Sequence, residues 1–234
     1  MLLNWVAAFE PLARKGWYWD AKTGKFRLTM YAQPHDTPWL HAPVLIPGTK
    51  EIGMDCGTLT LFHNNVMNRQ SVHSFCFNCY KVVIMPTTLE QVHKIADWQQ
   101  SECTENGWPC KVGAERRNYV QRKWGAYFYC RGVEEGKERY KAVRKWVDEN
   151  LGKDVKVILK RGCTEFEQHL GDSSKWKLLP NQEKVEEEWG EVVDYEPMGA
   201  GQAPSIQHHV YDVWDAWDKD NMAPVTYHDH EEGE

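Results

Sequence analysis

Three groups of side chains have types and spacings that could do chemistry. Cys76 and Cys79 enclose two residues, the spacing at which two thiolates reach one tetrahedral metal ion. Glu115, Glu165 and Glu167 lie close in sequence to Arg116, Arg117 and Arg161. Carboxylates set among arginines can hold a divalent ion and a phosphate, the layout that phosphoester hydrolysis needs. In the run Lys123-Trp124-Gly125-Ala126-Tyr127-Phe128-Tyr129 alternate residues of a strand share a face, so Tyr127 and Tyr129 fall together. Aromatic rings on an open sheet face stack nucleic-acid bases, and Arg116, Arg117, Arg122, Lys123, Arg131, Lys160 and Arg161 would surround them with positive charge. Dinucleotide-binding glycine loops, phosphate-binding P-loops, HExxH and GxSxG are all missing from the sequence.

Positioning these groups requires a scaffold, and residues 76–176 supply one. Tyr80–Met85 is a strand of apolar and β-branched residues, followed by Pro86 and a helix for which Thr87 and Glu90 have capping-box spacing. Leu89, Val92 and Ile95 form the apolar stripe of that helix. Lys111–Arg117 and the aromatic-rich Trp124–Cys130 are the next two strands, turning within 118–123. Glu134–Leu151 is a helix with Tyr140, Val143, Val147 and Leu151 inward and Gly152 as its stop, and Val155–Lys160 is the last strand. The order β-α-β-β-α-β predicts an α+β protein with a ferredoxin-like, split βαβ core and spatial strand order 4-1-3-2.

That topology makes a prediction about the thiols. Cys79 begins the first strand, Cys110 precedes the second, Cys130 ends the third and Cys163 follows the fourth, so all four should emerge at one end of the sheet. We expect a structural zinc ion on Cys76, Cys79, Cys110 and Cys163, with Cys130, Cys56 and His73 as substitute ligands. An iron–sulfur cluster could use the same set. Seven cysteines are an odd number, and the N-terminus lacks the basic segment and cleavage site of a secretory signal. Reduced thiols in the cytoplasm are therefore expected.

Residues 1–75 read as an N-terminal extension packed on the core. It comprises a helix over Leu2–Ala13, a hairpin of Trp17–Trp19 with Phe26–Tyr31, and a proline-bearing irregular stretch over 32–55. Residues 177–234 read as an acidic, partly disordered tail carrying His208, His209, His228 and His230. Within it, Val210, Val213, Trp214 and Trp217 have the spacing of a short docking helix.

Charge is unevenly spread along the chain. Residues 111–161 hold 15 basic and 7 acidic side chains, and residues 165–234 hold 4 basic and 18 acidic. A basic face and an acidic tail suggest nucleic acid as partner, probed as single-stranded DNA or RNA, with the tail competing for the basic face or recruiting a protein. Two other functions fit parts of the pattern. One is a metal-dependent enzyme, a phosphoester hydrolase on Glu115, Glu165 and Glu167 or a redox enzyme on a thiolate-bound metal. The other is an accessory subunit that docks on another protein through its tryptophans. The longest apolar stretches run to four or five residues, against the ~20 that a membrane-spanning helix needs, so no membrane partner is expected.

Overall fold

The computed structural model describes residues 13, 17–28, 38–44, 56–117, 119–194, 202 and 204–219. They form a mixed α and β protein whose strands pair mainly antiparallel. The chain divides into two compact units, each assembled from separated segments: 1–34, 48–78 and 162–198 in one, 35–47, 79–161 and 199–234 in the other.

The second unit is built on a five-stranded sheet. Its strands are β3 (Trp39–His41), β4 (Cys79–Met85), β5 (Cys110–Ala114), β6 (Trp124–Arg131) and β7 (Lys156–Arg161), in spatial order β3-β5-β6-β4-β7 with every neighbouring pair antiparallel. Four of these strands are the ones expected from sequence, with ends shifted by a few residues. The fifth, β3, lies in the stretch expected to be irregular. It extends the sheet because Trp39–His41 pairs with Gly113, Val112 and Lys111 along the outer edge of β5.

Register sorts the side chains onto two faces. Val82 and Ile84 of β4, Cys110, Val112 and Ala114 of β5, and Trp124, Ala126 and Phe128 of β6 share one core with three helices. These helices are α2 (Leu89–Trp98), α3 (Val133–Asn150) and α6 (Pro204–Lys219), which insert Val92 and Ile95, Val143 and Val147, and Val210 and Trp214. Trp98 and Trp146 stack at 4.1 Å between α2 and α3. On the opposite face Val83, Tyr127, Tyr129 and Ile158 form a smaller cluster with Trp39 and Met85.

The helix ends follow local chemistry. Thr88, rather than Thr87, caps α2: its side chain accepts from the Gln91 N–H while the Gln91 side-chain oxygen accepts from the Thr87 N–H. α3 stops where Gly152 adopts φ +114°, a conformation that residues with a side chain rarely take. The tail contributes ordered structure, because α6 is the helix expected from the spacing of Val210, Trp214 and Trp217. Its indole N–H groups are satisfied by the sheet edge, Trp214 donating to Pro38 O at 2.8 Å and Trp217 to Lys123 O at 3.0 Å.

The first unit carries a smaller sheet of β1 (Trp17–Asp20), β2 (Lys25–Leu28) and β8 (Val193–Asp194), the last parallel to β2. α1 (Cys56–Leu61) runs on into a π-helical turn over Phe62–Val66, and α4 (Thr164–Leu170) and α5 (Gln182–Val192) complete the unit. Trp17, Phe26, Phe62, Phe166, Trp176 and Trp189 pack together as its core. Within the acidic region, 204–219 holds the expected helix, and 182–192 forms a further one, with buried tryptophans (Trp214, Trp189) offsetting the cost of ordering the chain. The expected N-terminal helix lies outside the described residues except Ala13, as does the turn at Asn118 and the tail beyond Lys219.

The edge strand gives a direct test. A Cβ added at Gly113 would lie 2.0 Å from Pro38 O, the oxygen that also accepts from Ala114 N and the Trp214 indole. Gly113→Ala is expected to push β3 off the sheet, lowering stability by about 2 kcal/mol in urea unfolding, in the range of overpacking changes.

Candidate functional site

Of the candidate thiols, Cys76 and Cys163 belong to the first unit, Cys79 and Cys110 to the second. Within the second unit, register separates the latter two. Cys79 sits opposite Arg131 and Cys110 opposite Phe128, three residues along β6, or about 10 Å at 3.3 Å per residue. An odd offset also turns them to opposite faces of the sheet. Cys110 is the first residue of β5 and points into the core shared with α2 and α3, where Cys103 lies beside it. Contact with Cys110 and burial push the Cys103 thiol well above its ordinary pKa, and burial pushes Cys130 up to about 12, so both stay protonated. Among the described residues, no group of three or more His, Cys, Asp or Glu is placed to hold a metal ion. The expectation that Cys79 and Cys110 converge fails because a loop residue before a strand and the first residue of that strand differ by one step of pleat.

Of the candidate carboxylates, Glu115 follows β5 in the second unit, and Glu165 and Glu167 lie on α4 in the first. Glu115 is 3 % exposed, and both its oxygens are taken. Oε1 accepts from the Arg117 backbone N–H and Nε (2.6 Å), and Oε2 accepts from Arg117 Nη2 and the Tyr127 hydroxyl (2.9 Å). Arg117 and Arg122 in turn donate to the Tyr127 hydroxyl at 2.9 and 2.7 Å. This is a network in which the buried carboxylate neutralises half-buried arginines. Burial and the neighbouring Glu115 charge push the Tyr127 phenol up to about 12, against the pull of the two arginines.

Tyr127 and Tyr129 share a face, as alternation requires, but that face is not open. They are 3 % and 5 % exposed, and Lys160, placed with them from sequence, is fully buried. The Tyr127 ring has the Lys81, Lys111 and Arg122 cations about it, each 5.6 Å from its centre, and Trp39 packs edge-on against it at 5.4 Å. Stacking on bases would require these rings to be accessible. Among the other basic candidates Arg116 and Arg131 are exposed, Arg122, Lys123 and Arg161 half-buried. Lys123 is engaged by α6, its ammonium donating to Asp218 O at 2.6 Å.

A row of accessible positive charge lies on α3. Lys137, Lys141 and Lys145 recur every four residues and are all exposed, with exposed Lys153 in the turn that follows. Of the acids on this helix, Glu134 is paired with Lys137 at 3.3 Å, Glu135 with Arg139 at 3.0 Å and Asp148 with Arg144 at 2.6 Å, while Glu138 and Glu149 are exposed beside the stripe. Lys141 and Lys145 are left without an ion pair among the described residues. The basic surplus of 111–161 was legible in sequence; its four-residue spacing within Glu134–Leu151 is the signal that places it on a helix face.

In the first unit, Glu186 of α5 clasps the short 3-10 helix Ser74–Asn78. Its carboxylate accepts from the Ser74 backbone N–H (2.8 Å), the Ser74 hydroxyl and Gln182 Nε2 (2.6 Å), with His73 Nε2 at 3.8 Å. The Phe75 N–H donates to His73 Nδ1, so this imidazole is neutral with its proton on Nε2. The serine donates to the carboxylate and not to the histidine, which makes the arrangement a helix clasp rather than a nucleophile with its base.

Comparison with protein-family models, with curated proteins and with solved structures finds no match to this chain. No helix among the described residues is long and apolar enough to cross a membrane.

Two measurements test the site chemistry. Tyr127→Phe removes a hydroxyl that serves Glu115, Arg117 and Arg122 at once, and should cost about 2 kcal/mol of stability by denaturant unfolding. Burial lowers the pKa of His41 to about 3, helped by the Lys111 charge. Burial also lowers His63, and it lowers His73 against the opposing pull of Glu186. Each is depressed in the folded state, so the unfolded chain takes up protons first as pH falls through 6.5. Stability should therefore drop on acidification from pH 7.5 to 5, with a slope of up to about 1.4 kcal/mol per pH unit per histidine, read as Tm against pH.

Proposed function

We propose that this chain binds nucleic acid through its phosphate backbone, with the lysine stripe of α3 as the contact surface. The observation that carries the reading is the exposure of Lys141 and Lys145, without ion pairs among the described residues, on a helix where Glu134, Glu135 and Asp148 are paired with other cations. Lysines at four-residue spacing present ammonium groups about 6 Å apart along the axis, close to the spacing of successive phosphates on a strand. Lys137 and Lys153 extend the stripe at its two ends. The sheet beneath supports a ferredoxin-like reading of the scaffold. Strands β7-β4-β6-β5 stand in the order 4-1-3-2, and α2 and α3 share a core with one face of the sheet.

Contacts of this kind are sequence-independent and salt-sensitive, because each neutralised phosphate releases counterions. With Tyr127 and Tyr129 buried, stacking adds nothing, so single and double strands should bind alike. The negative charge of α6 (Asp212, Asp215, Asp218) tempers the unit's charge and holds Lys123 away from the interface.

A filter-binding titration of the full chain across salt concentrations tests the proposal. The double substitution Lys141→Glu, Lys145→Glu is expected to lower affinity at least about tenfold and to reduce the slope of log K against log salt by about 2, one unit for each lost phosphate contact. Unchanged affinity and slope, or no binding by the parent chain at low salt, would overturn it.

A further inference from the structure

We infer that His63 and His169 form a binding site for a divalent transition-metal ion, with zinc as the simplest occupant. Both residues lie in the first unit, whereas the lysine stripe belongs to the second, and neither belongs to the cysteine set considered above.

The local backbone shapes the site. α1 widens into a π-helical turn over Phe62–Val66, which carries His63, and the chain then reverses through Asn68 and Arg69, two successive non-glycine residues in the left-handed region (φ 48° and 57°). Strained turns and π-helical turns of this kind concentrate at functional sites. Here the reversal brings the Ser71 carbonyl to 2.7 Å from His63 Nδ1. A carbonyl oxygen can only accept, so Nδ1 carries the hydrogen and Nε2 carries a lone pair. A backbone carbonyl fixing one ring nitrogen so that the other presents its lone pair is the usual outer support of a metal-ligating histidine.

Two observations say that this lone pair lacks its natural partner. His63 is 1 % exposed, and its Nε2 is buried with no hydrogen-bond partner. A buried acceptor left in this way is costly, and a bound ion would recover that cost. The second observation is a neighbouring imidazole: the His169 ring, on the exposed side of α4, is centred 5.9 Å from that of His63 and tilted 40° to it. Two imidazoles on one tetrahedral zinc, each about 2.1 Å from the metal through nitrogen, have ring centres roughly 5 Å apart. Closing the difference takes less than an ångström of movement by the exposed partner.

The surroundings favour a neutral donor. Phe166 packs edge-on against His63 at 4.9 Å, and burial holds the imidazole pKa below its ordinary value, so at neutral pH no proton competes with the metal. Arg69 and His169 are the groups whose charge bears on it, and both favour the neutral form. Imidazole donors suit zinc, copper(II) and nickel(II), and a pair of them leaves the remaining coordination positions to water.

Zinc titration of the full chain tests the site, in a background of His208→Ala, His209→Ala, His228→Ala and His230→Ala that removes the other clustered imidazoles. One zinc per chain with micromolar affinity and a raised Tm is expected. His169→Ala changes an exposed residue and should leave the fold intact while weakening zinc binding about tenfold or more and abolishing the Tm rise. Zinc binding that is unchanged in His169→Ala, whether through thiols or elsewhere, would overturn the inference, as would no binding by the parent background.

Discussion

Strand β6 has water on neither face, and that constraint organises the second unit. Seven consecutive residues from Trp124 to Cys130 are buried, so one parity must suit an apolar core under helices and the other must suit whatever lies on the far side. The first parity is met by Trp124, Ala126 and Phe128 against α2, α3 and α6. The second is met by Tyr127 and Tyr129, whose rings bury well but whose hydroxyls demand partners. Tyr127 is what pulls Glu115, Arg117 and Arg122 into a network, since a lone buried hydroxyl or a lone buried carboxylate beside it would each be costly. The polar network thus follows from packing a central strand on both sides.

This explains why chemistry read from composition was misplaced while the scaffold was legible. A carboxylate among arginines has the same sequence signature whether it binds a metal or neutralises half-buried cations. Only the hydrogen bonds to both Glu115 oxygens separate the two. Tyr127 and Tyr129 were correctly assigned to one face by alternation, but alternation says nothing about whether that face is covered. The lysines of α3 carried the more useful pattern, because exposure of a charged stripe at helical spacing needs no knowledge of long-range packing.

The strands and helices of the larger sheet could be read because each has its own period, Val82 to Met85 and Trp124 to Cys130 as strands, Val143 and Val147 as a helix stripe. What escaped the reading depends on partners far away in sequence. β3 has only three residues and exists because Gly113 admits Pro38 O at close range. The helix cap moved by one residue because two threonines adjoin, and Gln91 rather than Glu90 reaches back from the third position of the helix that Thr88 begins. The expected approach of Cys79 and Cys110 failed on the same scale, one residue of register being enough to turn Cys110 into the core while Cys79 faces the other way. The histidine pair was not legible at all, since His63 and His169 are brought together by the fold of a unit whose segments are separated by most of the core.

The placement of Trp214 has a consequence for how the protein comes into being. The core beneath α2 and α3 is closed by a side chain that leaves the ribosome more than forty residues after the last strand of its sheet. At ordinary synthesis rates the nascent sheet must wait on the order of several seconds with an apolar gap where Val210 and Trp214 will sit. Helix α6 then serves as a delayed closure for the fold, its tryptophan completing a core whose sheet strands have all been made before it.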